Sequence, residues 1–352
     1  MSAPDTRTAG PLCVHFGTCG GCAYQDRADA AYRALKRDAV VRALERHGVE
    51  AKVGAIVTVP PGTRRRCVFK IKNGEVGFHA RASHAIVDMR ECRVLTPGLM
   101  ALAQRLRDIA PEIGTAEVHA TETGNGFDLL LRWQRKSSPA LVAFFAGWAA
   151  KAKVARVVSG NDVLVERTAP MSRIADVAVR LPPAAFLQPT REGEALLQDA
   201  VTSALKGAKN VVDLFAGCGT FSFAQGRQSK VHAVELDGAM LKALGDAARG
   251  AKGLKPIATE KRDLFKRPLL AKELAAFDAA VLDPPRAGAA AQTAGLAKSK
   301  LARIVYVSCD AASFARDARM LVDGGWQMGE VTPVDQFLWS EHIELVASFA
   351  RR

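Results

Sequence analysis

A cysteine near the C-terminal end of the sequence stands where a nucleophile would work. Four β-prone residues, 304–307, form an apolar run that stops at Ser308-Cys309-Asp310, and a helix-like segment, 311–322, follows at once. Cys309 is therefore predicted at the carboxyl end of a buried strand, the edge at which open α/β sheets bind ligands. A thiol there is a candidate nucleophile, although a lone free cysteine is more often a small buried apolar residue.

A second group of thiols lies near the N-terminus. Cys13, Cys19 and Cys22 follow the spacing C-x5-C-x2-C in a glycine-rich loop. This density is typical of a metal or cluster site, and the fourth ligand is expected to be Cys92, with Cys67 as the second choice. The spacing alone leaves structural zinc and iron–sulfur chemistry open.

A glycine-rich turn after a β-prone run predicts a nucleoside-binding site. The run leads into Asp213-x-Phe215-x-Gly217-x-Gly219, and the next strand ends in Glu235. The glycines let the backbone approach a ligand, and an acidic residue about 20 positions after the first strand suits a pair of ribose hydroxyls. The pattern G-x-G-x-x-G is missing from this turn, so a dinucleotide is disfavoured. D-x-F-x-G-x-G followed by a glutamate at the next strand end is the S-adenosylmethionine version of this nucleoside-binding geometry.

Two aspartates downstream of Glu235 are further candidates. Asp263 could reach the adenine, although an ordinary loop carboxylate is equally expected. Asp283 ends the fourth strand in Asp283-Pro284-Pro285-Arg286, where two prolines fix a rigid corner at the ligand edge. Enzymes that methylate exocyclic amines carry an aromatic residue after the two prolines, so Arg286 disfavours that reaction.

Three regions must hold these residues in place. Residues 1–50 carry the cysteine loop and an amphipathic helix. Residues 51–183 are expected to form a central α+β RNA-binding domain that carries Cys92, with hairpins at Asn73-Gly74 and at 124–126. After Pro182-Pro183 the pattern changes to alternating strands and helices, so a Rossmann-like α/β domain is predicted over 184–352. The run Arg64-Arg65-Arg66 is expected to be solvated or to contact phosphate.

Composition and charge restrict the partners of the chain. No apolar stretch is long enough to span a membrane, and the first ten residues lack the apolar core of a signal peptide. A cytoplasmic protein is therefore expected, in which seven cysteines stay reduced. The net charge of +13 and the pI near 9.6 indicate a polyanionic partner, and nucleic acid is the first candidate.

Taken together, these motifs resemble those of the RNA uracil-5-methyltransferase family, which makes 5-methyluridine in ribosomal RNA and in tRNA. The resemblance covers nearly the whole chain, and its motifs are the cysteine loop with Cys92, Phe186-Leu187-Gln188, the glycine turn with Glu235, Asp283-Pro284-Pro285-Arg286, Ser308-Cys309 and His342-Ile343-Glu344. Three positions depart from the family pattern. Asp310-Ala311 stands where Asn-Pro is usual, and Phe337-Leu338-Trp339-Ser340 stands where Phe-Pro-His-Thr is common. Pro189-Thr190 follows Gln188 where Val-Asn is common.

The resemblance implies a class I methyltransferase fold that uses S-adenosylmethionine, together with a 4Fe–4S cluster. It implies that Gln188, Glu235 and Asp283 contact the cofactor or the target base, that Cys309 is the nucleophile and that Glu344 is the base. This chemistry requires a thiol of low pKa, a carboxylate and a bound sulfonium within a few ångströms. The cluster ligands implied are Cys13, Cys19, Cys22 and Cys92.

The substrate expected from this resemblance is a uridine in structured RNA, with ribosomal RNA preferred to tRNA, and the protein is expected to be a monomer. A cytosine-5 methyltransferase is the nearest alternative enzyme, but its nucleophile normally follows a proline, whereas Ser308 precedes Cys309. A non-catalytic RNA-binding protein that carries a cluster is the alternative from another class.

Overall fold

In the computed structural model of the protein, residues 12–351 are described. The helices are α1 (Asp29–Arg46), α2 (Pro97–Arg107), α3 (Ala110–Ile113), α4 (Pro139–Lys151), α5 (Arg191–Ala204), α6 (Thr220–Gly226), α7 (Gly238–Gly250), α8 (Ala271–Leu274), α9 (Ala290–Ala297) and α10 (Ala311–Asp323). The strands are β1 (Val57–Thr58), β2 (Arg66–Lys72), β3 (Glu75–His79), β4 (Ile86–Asp88), β5 (Ala116–Thr123), β6 (Gly126–Arg132), β7 (Val154–Ser159), β8 (Asp162–Glu166), β9 (Met171–Ile174), β10 (Val177–Arg180), β11 (Asn210–Leu214), β12 (Lys230–Glu235), β13 (Ile257–Lys261), β14 (Ala279–Leu282), β15 (Arg303–Ser308), β16 (Gln327–Met328), β17 (Thr332–Asp335) and β18 (Glu344–Ala350). The first ten residues, in which no signal peptide is expected, lie outside the described residues. Between residues 12 and 351, no helix is both long and apolar enough to cross a membrane.

Seven strands in the middle of the chain form one sheet in the order β4-β3-β2-β5-β6-β7-β8. Neighbouring strands are antiparallel except β6 and β7, which run parallel. Asn73 and Gly74 make the β2–β3 turn with φ of 53° and 81°, because this two-residue turn requires the left-handed backbone that Asn and Gly tolerate best. Helices α2 and α4 pack on this sheet and bury Leu102, Leu106 and Phe145 in its core.

The C-terminal half of the chain forms a second sheet in the order β13-β12-β11-β14-β15-β18-β17, and β1 adds a parallel strand beside β17. The strands from β11 to β15 run parallel, whereas β18 is antiparallel to both β15 and β17. This is the strand order of a Rossmann-like class I methyltransferase domain, so the predicted fold class is confirmed. The parallel strands end at one edge, and β18 begins at that same edge because it runs in the opposite direction.

The N-terminal part of the chain contacts both sheets. Cys19 forms an isolated antiparallel bridge with Ala80, just after β3 of the central sheet. Helix α1 instead packs against helix α10 of the C-terminal half of the chain, where Leu44 is buried in the core. The buried ammonium group of Lys36, also in α1, forms an ion pair of 2.5 Å with Asp335 at the end of β17. The division of the chain at residues 50 and 183 therefore stays a prediction.

Candidate active site

The predicted nucleophile and the predicted base lie at the same end of two paired strands. Ser308 of β15 pairs with Leu345 of β18, so Cys309 and Glu344 come directly next at that end. Cys309 is half-buried, whereas Glu344 is only 2% exposed. Antiparallel pairing thus brings the two groups together at the edge where ligands of such sheets bind.

Burial and negative neighbours keep the Cys309 thiol protonated. Burial raises the pKa of this thiol to about 12, Glu344 and Asp283 add to the rise, and Arg286 opposes it. The guanidinium of Arg286 is shared with the carboxylate of Asp310, at 3.7 Å between Nη2 and Oδ2. The protein without RNA therefore does not show the low thiol pKa that this chemistry requires, because burial, with a smaller contribution from two carboxylates, disfavours the thiolate.

Two glutamines connect Glu344 to Asp283 by hydrogen bonds. Gln188 Nε2 donates to Asp283 Oδ2 at 3.0 Å. Gln336 Nε2 donates to Gln188 Oε1 at 2.8 Å and to Glu344 Oε2 at 3.0 Å. Both glutamines are buried. These four residues, which we call the amide network, join the end of β14, the segment before α5, the end of β17 and the start of β18.

Several carboxylates crowd the same edge, and burial makes them reluctant to ionise. Burial raises the pKa of Asp213 to about 7 against a hydrogen bond from Ser222, and Asp283 and Glu235 add to the rise. Burial also raises the pKa of Asp283 to about 7 and the pKa of Glu344 well above its ordinary value. Within residues 12–351, Oδ1 of Asp213 has no hydrogen-bond partner. A donor on a ligand would complete it, because buried acceptors are rarely left without a partner.

The turn after β11 is open to a ligand on one side and closely packed on the other. Phe215, Gly217 and Gly219 have φ of 64°, 53° and 101°. A Cβ at Gly219 would lie 2.5 Å from the Phe223 ring, whereas no described atom lies within 4 Å of a Cβ at Gly217. Glu235 Oε2 accepts from the N–H of Gly217 at 2.9 Å. Its Oε1 accepts from the N–H groups of the two residues that follow it, Leu236 and Asp237. Because a carboxylate has about four acceptor sites, Glu235 can accept one further donor.

Asp263 is turned toward its own loop. Its Oδ1 accepts from the backbone N–H groups of Phe265 at 3.0 Å and Lys266 at 3.2 Å. Phe265, which sequence reasoning missed, is exposed, and its ring centroid lies 5.5 Å from that of Phe215 beside the glycine turn. The Asp263 carboxylate thus stabilises a turn, and its contact with an adenine stays a prediction.

The predicted cluster ligands line one cavity of about 270 Å³, together with the side chain that was the second choice: Cys13, Cys19, Cys22, Cys67 and Cys92. Burial raises the pKa values of Cys19 and Cys92 and raises the pKa of Cys22 to about 12, and neighbouring thiols add to these shifts. Among the described residues, however, no group of three or more His, Cys, Asp or Glu side chains is arranged to hold a metal ion. The expected cluster therefore has a common cavity and suitable donors but no support from ligand geometry.

The arginine run holds the two sheets together. Arg65 is 1% exposed, and its guanidinium binds Glu194 of α5 at 2.7 Å and the backbone oxygen of Gln188 at 3.0 Å. Arg66 donates to the backbone oxygen of Leu187 at 2.7 Å. The expectation that this run is solvated or contacts phosphate is wrong for Arg65, because a buried carboxylate neutralises its charge. The start of β2 thereby fixes the segment that carries Gln188.

Besides Phe265, the sequence analysis did not identify Gln336 and the role of Arg65 in the site. Gln336 directly follows β17, which ends at the same edge as the parallel strands. A polar residue after a strand end is the signal that could have found it, as it found Cys309 and Asp283. The role of Arg65 had no such signal, because three consecutive arginines normally indicate a solvent-exposed segment.

Relatives of similar sequence are named as RNA methyltransferases. The family model of tRNA (uracil-5-)-methyltransferases matches residues 146–352. An uncharacterised RNA methyltransferase of Brucella suis is 42% identical over 352 residues, which cover 96% of this chain and 83% of that protein. The 23S rRNA (uracil(1939)-C(5))-methyltransferase of Chromohalobacter salexigens is 31% identical over 376 residues, which cover 99% of this chain and 78% of that protein. In fold, the chain is similar to the crystal structure of a Pyrococcus abyssi tRNA (uracil-54, C5)-methyltransferase in complex with S-adenosyl-L-homocysteine, with a TM-score of 0.74, 22% identity and coverage of 97% and 87%.

Proposed function

The chain belongs to the family of S-adenosylmethionine-dependent RNA uracil-5-methyltransferases, and from this premise we propose that it methylates carbon 5 of a uridine in 23S ribosomal RNA. The observation that carries this proposal is the strand pairing that sets Cys309 beside Glu344. The relative named as a 23S rRNA methyltransferase favours ribosomal RNA over tRNA. The net charge of +13 suits a polyanionic substrate.

Cys309 acts first in the proposed mechanism, because carbon 5 of uracil is a weak nucleophile. The thiol loses its proton to solvent, and its sulfur forms a bond to carbon 6 while the electron pair of the 5,6 double bond moves into an enolate. Bound S-adenosylmethionine supplies the methyl group that carbon 5 takes up. Arg286 favours the thiolate, since it is the cation that lowers the pKa of Cys309.

Glu344 acts second, as the general base. After methyl transfer, carbon 5 carries both the new methyl group and its original hydrogen. Glu344 removes this proton, the electron pair restores the 5,6 double bond, and the sulfur leaves carbon 6. Burial and Asp283 raise the pKa of Glu344, which makes its carboxylate a stronger base, and the hydrogen bond from Gln336 limits the rise.

The residues around the glycine turn are proposed to bind S-adenosylmethionine. Three features support this: the unpartnered Oδ1 of Asp213, the open space at Gly217 and the remaining acceptor site of Glu235. Gln188 and Asp283 belong to the amide network, and Asp283 acts on the Cys309 thiol. These two residues are proposed to contact the target base. Phe215 and Gly219 of the glycine turn, and Asp263 in the loop after β13, are the other residues proposed to contact S-adenosylmethionine.

A 4Fe–4S cluster is proposed for the cysteine cavity, with Cys13, Cys19, Cys22 and Cys92 as ligands. The common cavity and the four buried or half-buried thiols support this proposal. Leu338, in the segment between Gln336 and Glu344, also lines the cavity. The role proposed for the cluster is therefore structural: it would hold the N-terminal loop against this segment. The protein is further proposed to act as a monomer in the cytoplasm.

The experiment that tests the proposed function compares RNA from cells with and without the protein. Nucleoside mass spectrometry of separated 23S rRNA and tRNA should show the loss of one 5-methyluridine from 23S rRNA alone. Loss from tRNA would move the substrate to tRNA, and loss of a 5-methylcytidine would indicate the alternative base. Unchanged nucleosides in both RNA fractions would contradict the proposal.

A further inference from the structure

Gln336 is held at the centre of the amide network by buried charges on its neighbour in the chain. Asp335 binds the ammonium group of Lys36 at 2.5 Å and the hydroxyl of Tyr32, both from helix α1. The same carboxylate accepts from the N–H of Phe337 at 3.2 Å. The backbone on both sides of Gln336 is therefore fixed, and its own side chain is 1% exposed.

The ends of the amide network determine how both amides are oriented. In their ionised forms, Asp283 and Glu344 only accept hydrogen bonds, so each then faces a donor. Gln188 therefore turns Nε2 toward Asp283 and Oε1 toward Gln336. Both hydrogens of Gln336 Nε2 are then used, one by Gln188 and one by Glu344. A reversed Gln336 amide would set its oxygen against two acceptors.

Helix α5 limits the movement of this amide from the other side. A Cβ at Gly193, in the first turn of α5, would lie 2.4 Å from Gln336 Oε1. In the described part of the chain, this Oε1 has no hydrogen-bond partner. Gln336 is thus held by its nitrogen and enclosed by a glycine that leaves just enough space for it.

We propose that Gln336 is a positioning residue that gives the site its selectivity for uracil: it fixes the Gln188 amide in the orientation that suits uracil, and it holds the base Glu344. This inference rests on the proposed function, in which Gln188 and Asp283 contact the target base. Among residues 12–351, the second hydrogen of Gln188 Nε2 has no acceptor. That N–H matches the O4 oxygen of uracil and opposes the amino group of cytosine. Asp283 matches N3–H of uracil in its ionised form, which is populated above its pKa of about 7.

The bond to Glu344 gives Gln336 a second effect. The titratable groups that act on this carboxylate are Asp283 after β14 and Cys309 after β15, and Arg286 faces Cys309 in turn. Burial and Asp283 raise the pKa of Glu344, and the hydrogen bond from Gln336 lowers it. Loss of this bond should raise that pKa further, so that the base is protonated up to a higher pH.

The test is Gln336→Met, which keeps the length of the side chain and removes its donors. Single-turnover methylation is measured between pH 5 and 9 on an unmodified 23S rRNA transcript and on the transcript with cytidine at the target position. We expect the acidic limb of the rate profile to move to higher pH and the preference for uridine over cytidine to fall by about tenfold. Gly193→Ala, which pushes the amide out of place, should change both readouts in the same direction.

Gln292→Met is the matched control, because Gln292 is fully buried and bonds to the backbone of Leu269, away from the proposed reacting groups. It should lose thermal stability without changing the pH profile or the preference. A folded Gln336→Met with both wild-type readouts would overturn the inference, and if that variant fails to fold, wild-type readouts in Gly193→Ala would do so. A wild-type protein that is inactive on the transcript would overturn the proposed function and this inference with it.

Discussion

Cys309 and Glu344 occupy the next step of the β15–β18 register beyond the pair formed by Ser308 and Leu345. Strand pairing fixes Ser308 and Glu344, and Cys309 lies one residue beyond the last paired residue of β15. This arrangement has an electrostatic consequence, since the Glu344 carboxylate helps burial to raise the pKa of the Cys309 thiol to about 12. The closeness of the nucleophile and the base therefore makes the thiol harder to ionise.

The free protein should therefore have a slowly reacting active-site thiol. We expect alkylation of Cys309 by iodoacetamide to be slow at pH 7 and to accelerate with rising pH up to about 12, because the thiolate is the reactive form. Arg286→Ala should slow the reaction several-fold at a given pH, and Glu344→Gln should speed it. Peptide mass spectrometry follows the modification of this cysteine, and fast alkylation of the wild type at pH 7 would contradict the account.

The buried Asp213 carboxylate should make the protein without cofactor less stable as the pH rises. Its pKa in the folded state, about 7, lies above the ordinary 3.8, so the folded state binds the proton more tightly. The free energy of unfolding should then fall between pH 3.8 and about 7. Asp213→Asn should remove this contribution and raise Tm at pH 8 by a few degrees, as thermal unfolding can measure. Asp199→Asn, on an exposed position of α5, is the control, and parallel Tm profiles of Asp213→Asn and wild type would refute the prediction.

Glu235 should contribute directly to cofactor affinity. We expect Glu235→Ala to weaken the binding of S-adenosylmethionine by about 1–3 kcal/mol in calorimetry, because charge-assisted hydrogen bonds to the ribose are lost. The same change at Glu192, an exposed residue in the first turn of α5, should leave the affinity unchanged. Equal affinities of Glu235→Ala and wild type would show that this carboxylate is not on the ribose.

The cysteine cavity should hold iron. Protein purified without oxygen should be brown and contain about four irons per chain. Cys19→Ser should lose the colour, whereas Cys218→Ser, in the buried glycine turn, and Cys67→Ser should keep it. A colourless protein with one tightly bound zinc would contradict the cluster proposal.

The sequence could predict those site residues that lie at the ends of strands. Cys309, Asp283 and Glu344 each stand next to an apolar run, and the strand order that joins them is common to class I sheets. Gln336 and Arg65 escaped prediction because their roles depend on partners more than 120 residues away, as the Gln336–Gln188 and Arg65–Gln188 contacts show. The raised thiol pKa was equally hidden, since it results from burial and from carboxylates on other strands.

The covalent mechanism is the central claim, and trapping of its intermediate tests it most directly. Glu344→Gln keeps the size of the base but cannot accept the carbon-5 proton, so the reaction should stop after bond formation and methyl transfer. With the unmodified 23S rRNA transcript and S-adenosylmethionine, this variant should accumulate a methylated protein–RNA adduct that survives denaturing electrophoresis. Cys309→Ala, alone or combined with Glu344→Gln, should form no adduct, because the thiol acts first. Normal turnover by Glu344→Gln, or an adduct in Cys309→Ala, would contradict the account.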